Sequence, residues 1–159
     1  MERVDQRFWY REAERITISD KAGDLCSLPR VDYSDAFRAA TDHSQAPEAW
    51  ARAVFEGPPA PLPACLHFLW ATLVRLDLAS RDDRSRVLGW KIAARTESGV
   101  VLEAEAPGMR VQLVALVETA AVSWTTFIYY KKWFGRVTFT LLATTHRALA
   151  AYLLSRAAS

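Results

Sequence analysis

Histidine is the side chain best suited to move a proton near neutral pH, and the sequence has three histidines, His43, His67 and His146. His146 lies between Leu142 and Leu149 at helical spacing, so its ring shares the apolar stripe of a predicted helix. The ring could face a pocket and shuttle a proton there, or it could tie the helix to a strand carbonyl. The structural use is favoured for His146, and more strongly for His67.

Tyr129 and Tyr130 are the next candidates, because they are consecutive residues at the end of a strand predicted over 121–130. Consecutive strand residues point to opposite faces, so one of the two hydroxyls must face inward. In a cavity that hydroxyl can bond a ligand carbonyl, whereas in a core it would lie at the rim. Neither reading is favoured, and we take His146, Tyr129 and Tyr130 as the candidate catalytic residues.

Six tryptophans are many for a chain of this length. Those at predicted inward positions can form a core, an aromatic wall that stacks on a planar ligand, or both. The candidate ligand-binding residues are Trp70, Trp90, Trp124, Leu113, Phe139, Leu142 and Gln112. Gln112 is a ligand anchor only if its face of the strand over 109–118 is the inner one. Both faces of that strand and of the strand over 121–130 are partly apolar, so the choice stays open.

Motifs for metals and cofactors are missing from the sequence. The histidines are scattered, Cys26 and Cys65 stand far apart, and there is neither a glycine-rich nucleotide loop nor a nucleophile elbow. Asp35 and Glu118 are the only carboxylates that the pattern could bring to an inner sheet face, and it places neither there. The sequence therefore predicts no metal, no cofactor and no obvious pair of catalytic carboxylates.

The first half of the chain predicts one strand and two short helices to position these groups. The strand covers 31–40, with a weak alternation of side chains. The side chains predicted on one side of it are Tyr33, Asp35 and Phe37. Pro47 favours the start of a helix over 47–56, and the proline-rich segment 57–63 must end it. Apolar residues at every third or fourth position predict a second helix over 64–77.

The second half predicts a sheet and a long helix. A period of two predicts four strands joined by short turns, which favours an antiparallel meander. These strands cover 87–96, 100–106, 109–118 and 121–130. Outward positions of the first two carry Lys91, Arg95, Glu103 and Glu105, so one face is predicted to be solvated and the other covered. The last helix, over 137–157, spans ~30 Å and could cross the whole sheet.

Composition limits the class of protein. The chain has 159 residues, 51% of them hydrophobic, which suits one domain over 31–159 preceded by an arm over 1–30 that packs Phe8, Trp9 and Tyr10 onto the body. A net charge of +2 indicates no nucleic-acid partner. The charged N-terminus is not a signal peptide, and no window approaches the ~20 apolar residues of a membrane span. We therefore expect a cytoplasmic protein without stable membrane insertion, and a homodimer stays open.

Three short segments resemble a known family. They are Asp32-Tyr33-Ser34-Asp35-Ala36-Phe37, Leu88-Gly89-Trp90-Lys91-Ile92, and the stretch from Tyr130 through Gly135-Arg136 to His146-Arg147. Together with the order of elements they resemble an actinobacterial family of uncharacterised proteins related to the START and birch-pollen-allergen (SRPBCC) superfamily, over roughly residues 30–157. The resemblance implies an α+β helix-grip fold, in which a curved antiparallel sheet of five to seven strands wraps the C-terminal helix around an apolar cavity.

Relatives elsewhere in that superfamily are aromatase/cyclases and lipid carriers, which implies a hydrophobic small-molecule ligand. The first hypothesis is a metal-free cyclase or isomerase of polyketide-type secondary metabolism, which folds a flexible substrate into a reactive conformer. The alternative is a lipid or hydrophobic-metabolite carrier without turnover. A third hypothesis is a structural partner protein whose cavity is vestigial.

The run Lys131-Lys132-Trp133-Phe134-Gly135-Arg136 combines three cations with two aromatic residues. Such a run can touch an anionic membrane surface or an acyl-carrier partner. Because the run is short, an exposed loop that only improves solubility is the favoured interpretation.

Overall fold

The structure, a computed structural model, describes residues 12–159, so the packing predicted for Phe8, Trp9 and Tyr10 concerns residues outside that range. Over residues 12–159 it has six strands and four α-helices. In chain order the elements are β1 (Glu14–Ile16), α1 (Asp20–Leu25), β2 (Tyr33–Ala40), α2 (Pro47–Phe55), α3 (Leu62–Leu69) with a π-helical extension (Trp70–Val74), β3 (Lys91–Arg95), β4 (Gly99–Glu105), β5 (Met109–Glu118), β6 (Ala121–Tyr130) and α4 (Trp133–Ala158).

The strands form one open antiparallel sheet in the order β1-β2-β6-β5-β4-β3. Strands β3 to β6 are the predicted meander, and β5 and β6 have the predicted bounds, paired from Met109↔Tyr130 to Glu118↔Ala121. β2 then pairs with β6 over its whole length. The predicted α+β class, the antiparallel sheet and the long C-terminal helix are confirmed, and the strand count lies within the predicted range.

One face of the sheet, here called the inner face, carries the main core and the helix α4. Phe37 of β2, Leu102 of β4, Leu113 of β5 and Trp124 of β6 all lie buried in this core. Every second residue of each strand reaches this face, because side chains of a strand alternate between its two faces. The inner face of β5 is therefore the one that carries Leu113, which settles the choice left open by the sequence.

The outer face is only partly solvated, contrary to the expectation of one wet face. Lys91 and Arg95 are exposed on β3 as predicted. The outer side chains of the central strands, however, form a second buried cluster with α1, and its members are Ala22, Val101, Val114, Leu116 and Phe127. The arm supplies the cover, because the chain between Ile18 and Leu28 lies against this face.

The start of α2 and the end of α3 each have a local cause. Pro47 stands in the first turn of α2, where its missing N–H costs no hydrogen bond. α3 begins at Leu62, two residues before the predicted start, and its extension stops at Arg75, whose φ of 64° is left-handed. A non-glycine residue rarely adopts that conformation, and it ends the helix before the predicted residue 77.

Helix α4 is held at both of its ends. At its start Gly135 lies against the backbone of Gly108 in the β4–β5 turn, where a Cβ would overlap the Gly108 carbonyl. Near its end Ser155 Oγ accepts a 2.7 Å hydrogen bond from the N–H of Ala13. The helix begins at Trp133, four residues before the predicted start at Val137. Its first turn can pack directly on the backbone of the β4–β5 turn because Gly135 has no side chain. Among the described residues, no helix is long and apolar enough to cross a membrane.

Candidate functional site

A cavity of about 160 Å³ lies between the inner face of the sheet, the helices α2 and α3, and α4. Six predicted ligand-binding residues lie on its wall, namely Trp70, Trp90, Trp124, Leu113, Phe139 and Leu142. His146 also lines it. The structure thus brings together side chains from four elements and from the residue just before β3, which the sequence pattern could place only on faces.

The aromatic part of the wall is a connected group centred on Phe55 of α2. The ring of Phe55 lies 4.9 Å from that of Trp70 and 5.0 Å from that of Trp124, centroid to centroid. Trp70 meets Trp90 edge to face at 5.6 Å. Tilted and edge-on contacts of this kind are the favourable geometries for aromatic pairs. The rings therefore hold one another in place and leave the neighbouring volume open.

The polar end of the cavity is formed by His146 of α4 and Asp35 of β2. His146 Nε2 lies 3.2 Å from Asp35 Oδ2. The Asp35 side chain is fully buried, and Tyr33 Oη donates a 2.6 Å hydrogen bond to the same Oδ2. Arg147 Nη1 in turn donates to Tyr33 Oη at 3.4 Å. A buried carboxylate therefore stands directly behind the only histidine on the wall.

The charge of Asp35 follows from these contacts. Burial acts to raise the pKa of the Asp35 carboxyl, but His146, the Tyr33 hydroxyl and the charge of Arg15 outweigh burial and hold that pKa below its usual value. Burial, with the bond to Asp35, raises the pKa of Tyr33, which stays a protonated donor. Near neutral pH the carboxylate is ionised, and its negative charge 3.2 Å away favours a proton on the facing Nε2 of His146, although the two groups are not aligned for a hydrogen bond. The other ring nitrogen, Nδ1, makes no hydrogen bond to any described residue, so its lone pair is free.

Several buried polar atoms around the cavity have no hydrogen-bond partner among residues 12–159. They are Asp35 Oδ1, Thr126 Oγ1, Trp90 Nε1 and His146 Nε2, the last of which lies within ion-pair distance of Asp35 Oδ2 without being aligned for a hydrogen bond. Thr126 is the cross-strand partner of Asp35, and Trp90, Thr126 and His146 line the wall. An unpartnered buried polar group costs about 1–3 kcal/mol. Groups of this kind, gathered around an open volume, can be satisfied by a ligand with its own polar atoms.

Three predicted site residues lie away from the cavity wall. Gln112 is on the outer face, fully buried, and its side chain bonds to Ser27 and Glu103. Tyr129 also faces outward, where the guanidinium of Arg30 stacks over its ring. The condition set for Gln112 is therefore not met, because the inner face of these strands is that of Leu113 and Trp124.

Tyr130 faces inward as one of the two tyrosines must, yet it is not part of the cavity wall. It is the last residue of β6, buried at the end of the sheet, with the guanidinium of Arg136 4.9 Å from its ring centre. Burial raises the pKa of its hydroxyl. Its position matches the core aromatic at the rim that the sequence left as the alternative.

His67 has the structural use that was favoured for it. Its Nε2 lies 2.7 Å from the carbonyl oxygen of Ala79 and so ties α3 to the loop that precedes β3. The sequence missed Thr126 and Phe55 as wall residues, and it did not identify the side of the strand that carries Asp35 as the inner one. The usable signal was parity: Tyr33, Asp35 and Phe37 share one side of their strand, and the large apolar Phe37 marks that side as inner.

No protein-family model matches the sequence, and no curated protein or solved structure matches it either. Within the described part of the chain, no three histidine, cysteine, aspartate or glutamate side chains are grouped so that they could hold a metal ion. The function of the chain must therefore be inferred from the cavity itself.

Proposed function

We propose that this chain binds an apolar small molecule in its cavity and acts as a cofactor-independent isomerase or cyclase of polyketide-type metabolism, built on the helix-grip fold of the SRPBCC superfamily. One observation carries the proposal: an apolar cavity has the His146–Asp35 pair at one end, next to polar atoms that lack partners. An apolar pocket with a few convergent polar groups is the usual form of a small-molecule site.

The chemistry follows from the free nitrogen of His146. Nδ1 takes a proton from a carbon next to a substrate carbonyl, and the C–H electron pair becomes the C=C bond of an enolate. The hydroxyl of Thr126 or the indole N–H of Trp90 donates to the enolate oxygen. The imidazolium returns the proton to a different carbon, which completes an isomerisation without oxidant or reductant. In a cyclase the enolate carbon instead attacks a second carbonyl of the same molecule, and the new alkoxide takes the proton.

Asp35 is a positioning residue in this scheme. Its ionised carboxylate holds the Nε2–H form of His146 and stabilises the imidazolium that forms, without itself taking the proton. This role explains why a carboxylate is buried against the helix rather than in water.

The volume limits the substrate. An apolar cavity of ~150 Å³ accommodates a benzene molecule, so the cavity of about 160 Å³ encloses roughly one ring. A larger substrate would project between α3 and α4, where Leu69 and Leu73 line the cavity and are also exposed. The same opening supports the alternative, a carrier that holds one end of a longer hydrophobic molecule.

The test of binding uses two positions of α4. Leu142→Trp should fill the cavity and abolish saturable binding of anilinonaphthalene sulfonate, because Leu142 lies on its wall. Tyr152→Trp is the matched control, because Tyr152 is exposed and does not line the cavity. Both variants should keep the circular dichroism of the parent. Equal binding by the two variants would reject the cavity as the site.

Turnover separates the enzyme from the carrier. Native mass spectrometry of the protein purified from its host identifies the ligand, and conversion of that ligand is then followed. His146→Ala should lower the rate by about 10²-fold or more in an enzyme that uses this base. A carrier would show no conversion and would retain the ligand in the variant.

A further inference from the structure

The opening of the cavity is surrounded by exposed apolar side chains. Phe68 is 64% exposed, and Leu69 and Leu73 are exposed although they also line the cavity. These three residues lie on α3 and its π-helical extension, which form one side of the opening. Large apolar side chains gathered in one place on a surface indicate a binding surface rather than chance exposure.

A second exposed stretch lies at the start of α4, on the other side of the opening. Trp133 is 77% exposed and Leu141 is 79% exposed, with Val137 between them. These residues are four positions apart, so they share one side of the helix. Phe134 is exposed beside them. The helix therefore has two apolar sides, one on the cavity and one in water.

The chain just after the first stretch and the chain just before the second both bond to the β4–β5 turn. The N–H of Asp77, just after the extension of α3, donates to the carbonyl of Glu105 at 2.7 Å. The N–H of Lys131, just before α4, donates to the carbonyl of Gly108 at 2.9 Å. Leu73 and Leu142 also line the same cavity from opposite sides. We call this surface the mouth face; its residues are Phe68, Leu69, Leu73, Trp133, Val137 and Leu141.

Cations outnumber carboxylates around the mouth face. The chain has 18 acidic residues, yet none lies in 57–76 or in 119–159, the two segments that contain α3 and α4. The cations next to the exposed stretches are Arg75, Lys131, Lys132 and Arg136. Lys131 is paired with Glu105 at 3.2 Å, and Arg136 lies over the ring of Tyr130 without an ion pair to any described residue. The rim therefore has an excess of cations around an apolar centre, with Asp77 and Glu105 as the acidic residues near the β4–β5 turn.

We propose that the mouth face docks on the surface of an anionic phospholipid bilayer. An exposed tryptophan and aliphatic side chains would lie at the level of the headgroups, and the cations would contact lipid phosphates. An acidic protein partner is less suited, because the centre of the surface is apolar and its cations lie only at the rim. Docking in this orientation turns the opening of the cavity toward the lipid, so an apolar ligand could pass without crossing water. The proposal holds whether or not the ligand is converted.

The test is sedimentation of the full chain with vesicles in 0.1 M salt. Vesicles of phosphatidylcholine alone are compared with vesicles that contain 30% phosphatidylglycerol. Each cation near an anionic surface contributes about a five-fold change in affinity. The double variant Lys132→Gln/Arg136→Gln should therefore bind anionic vesicles about 25-fold more weakly. The double variant Trp133→Ser/Leu141→Ser should lose at least ten-fold on either vesicle, on the order expected for two apolar side chains.

The control variants remove side chains of the same chemical types from places outside the mouth face. Tyr152→Ser removes an exposed aromatic residue from the far end of α4, and Arg81→Gln/Arg84→Gln removes two exposed cations from the loop before β3. Both should bind as the parent does, and circular dichroism checks the fold of every variant. The proposal is overturned if the parent does not bind anionic vesicles, if controls and mouth-face variants bind alike, or if an acidic acyl-carrier protein binds the mouth face while vesicles do not. Each of these results would leave probe binding by the cavity unaffected.

Discussion

Two neighbouring pairs in the same two strands show how differently the faces of the sheet are used. Gln112 of β5 lies opposite Phe127, and its neighbour Leu113 lies opposite Thr126. Both Gln112 and Thr126 are almost completely buried. On the outer face Gln112 has a partner for each end of its amide, in Ser27 and Glu103. On the inner face the Thr126 hydroxyl has no partner among the described residues.

The outer face is therefore completed by the chain itself. The arm contributes α1 as an apolar cover, and Ser27 receives the amide of Gln112. The inner face has both an open volume and several unmet hydrogen bonds, although it is equally buried. A protein that only needed stability would gain by filling that volume and by replacing those polar atoms. Unmet hydrogen bonds beside an open volume are what a binding surface requires, and the comparison can be tested on each face.

The largest effect on stability is expected on the outer face. Gln112→Met keeps the length of the side chain but leaves the N–H and hydroxyl of Ser27 and one oxygen of Glu103 without their partner. At about 1 kcal/mol for each lost hydrogen bond, the free energy of unfolding should fall by about 3 kcal/mol. Denaturation by urea measures it. Ligand or probe binding per folded molecule should not change, and a loss of binding at unchanged stability would contradict the division between the faces.

The sequence predicts the sheet far better than it predicts the site. The bounds of β5 and β6 follow from their alternation and from the turns around Gly108 and Ala120, which are local features. The inner face of these strands could not be chosen, because both faces are apolar. The arm that covers the outer face is distant in the chain and has no periodic pattern that assigns it there.

The contact between Asp35 and His146 at the polar end of the cavity could not be predicted from the sequence either. Asp35 and His146 were each placed on an element, but their contact depends on where α4 crosses the sheet. That crossing is determined by the close approach of Gly135 to Gly108 and by the bond from Ala13 to Ser155. Parity alone could say that one of two tyrosines faces inward, yet it could not say how far Tyr130 lies from the cavity.

The second-largest effect on stability is expected on the inner face, and it depends on pH. The pKa of Asp35 is lowered in the folded chain, so its carboxylate stabilises the fold above the unfolded pKa of ~3.9. That stabilisation is lost as the pH falls through the folded pKa. Asp35→Asn should lower the free energy of unfolding at pH 7 by about 2 kcal/mol, because Tyr33 and His146 lose their charged partner.

The pH profile of that difference is the sharper measurement. The groups that face Asp35 are Tyr33, His146 and Arg15. The difference between parent and Asp35→Asn should shrink steadily below about pH 4, where the parent carboxylate becomes protonated. Other carboxylates also lose favourable contacts in acid, among them Asp32 and Glu48, but they are common to both proteins and cancel in the comparison. A difference that stays constant down to pH 2 would mean that Asp35 is not held as a carboxylate.

The smallest effect has the opposite sign and is the most specific to a binding surface. Thr126→Val replaces a hydroxyl without a partner by a methyl group of nearly the same shape, so the free energy of unfolding should rise by about 1 kcal/mol. The same substitution removes a donor from the cavity wall, so a ligand with a carbonyl group should bind more weakly while the apolar probe binds as before. Urea denaturation and probe titration measure the two quantities on one preparation. A fall in stability would show that the Thr126 hydroxyl already has a partner in the folded chain, and the inner face would then be as complete as the outer one. A gain in stability together with weaker binding of the carbonyl ligand is the combination expected of a surface shaped for a ligand. Removing a hydroxyl that has a structural partner would instead lower the free energy of unfolding.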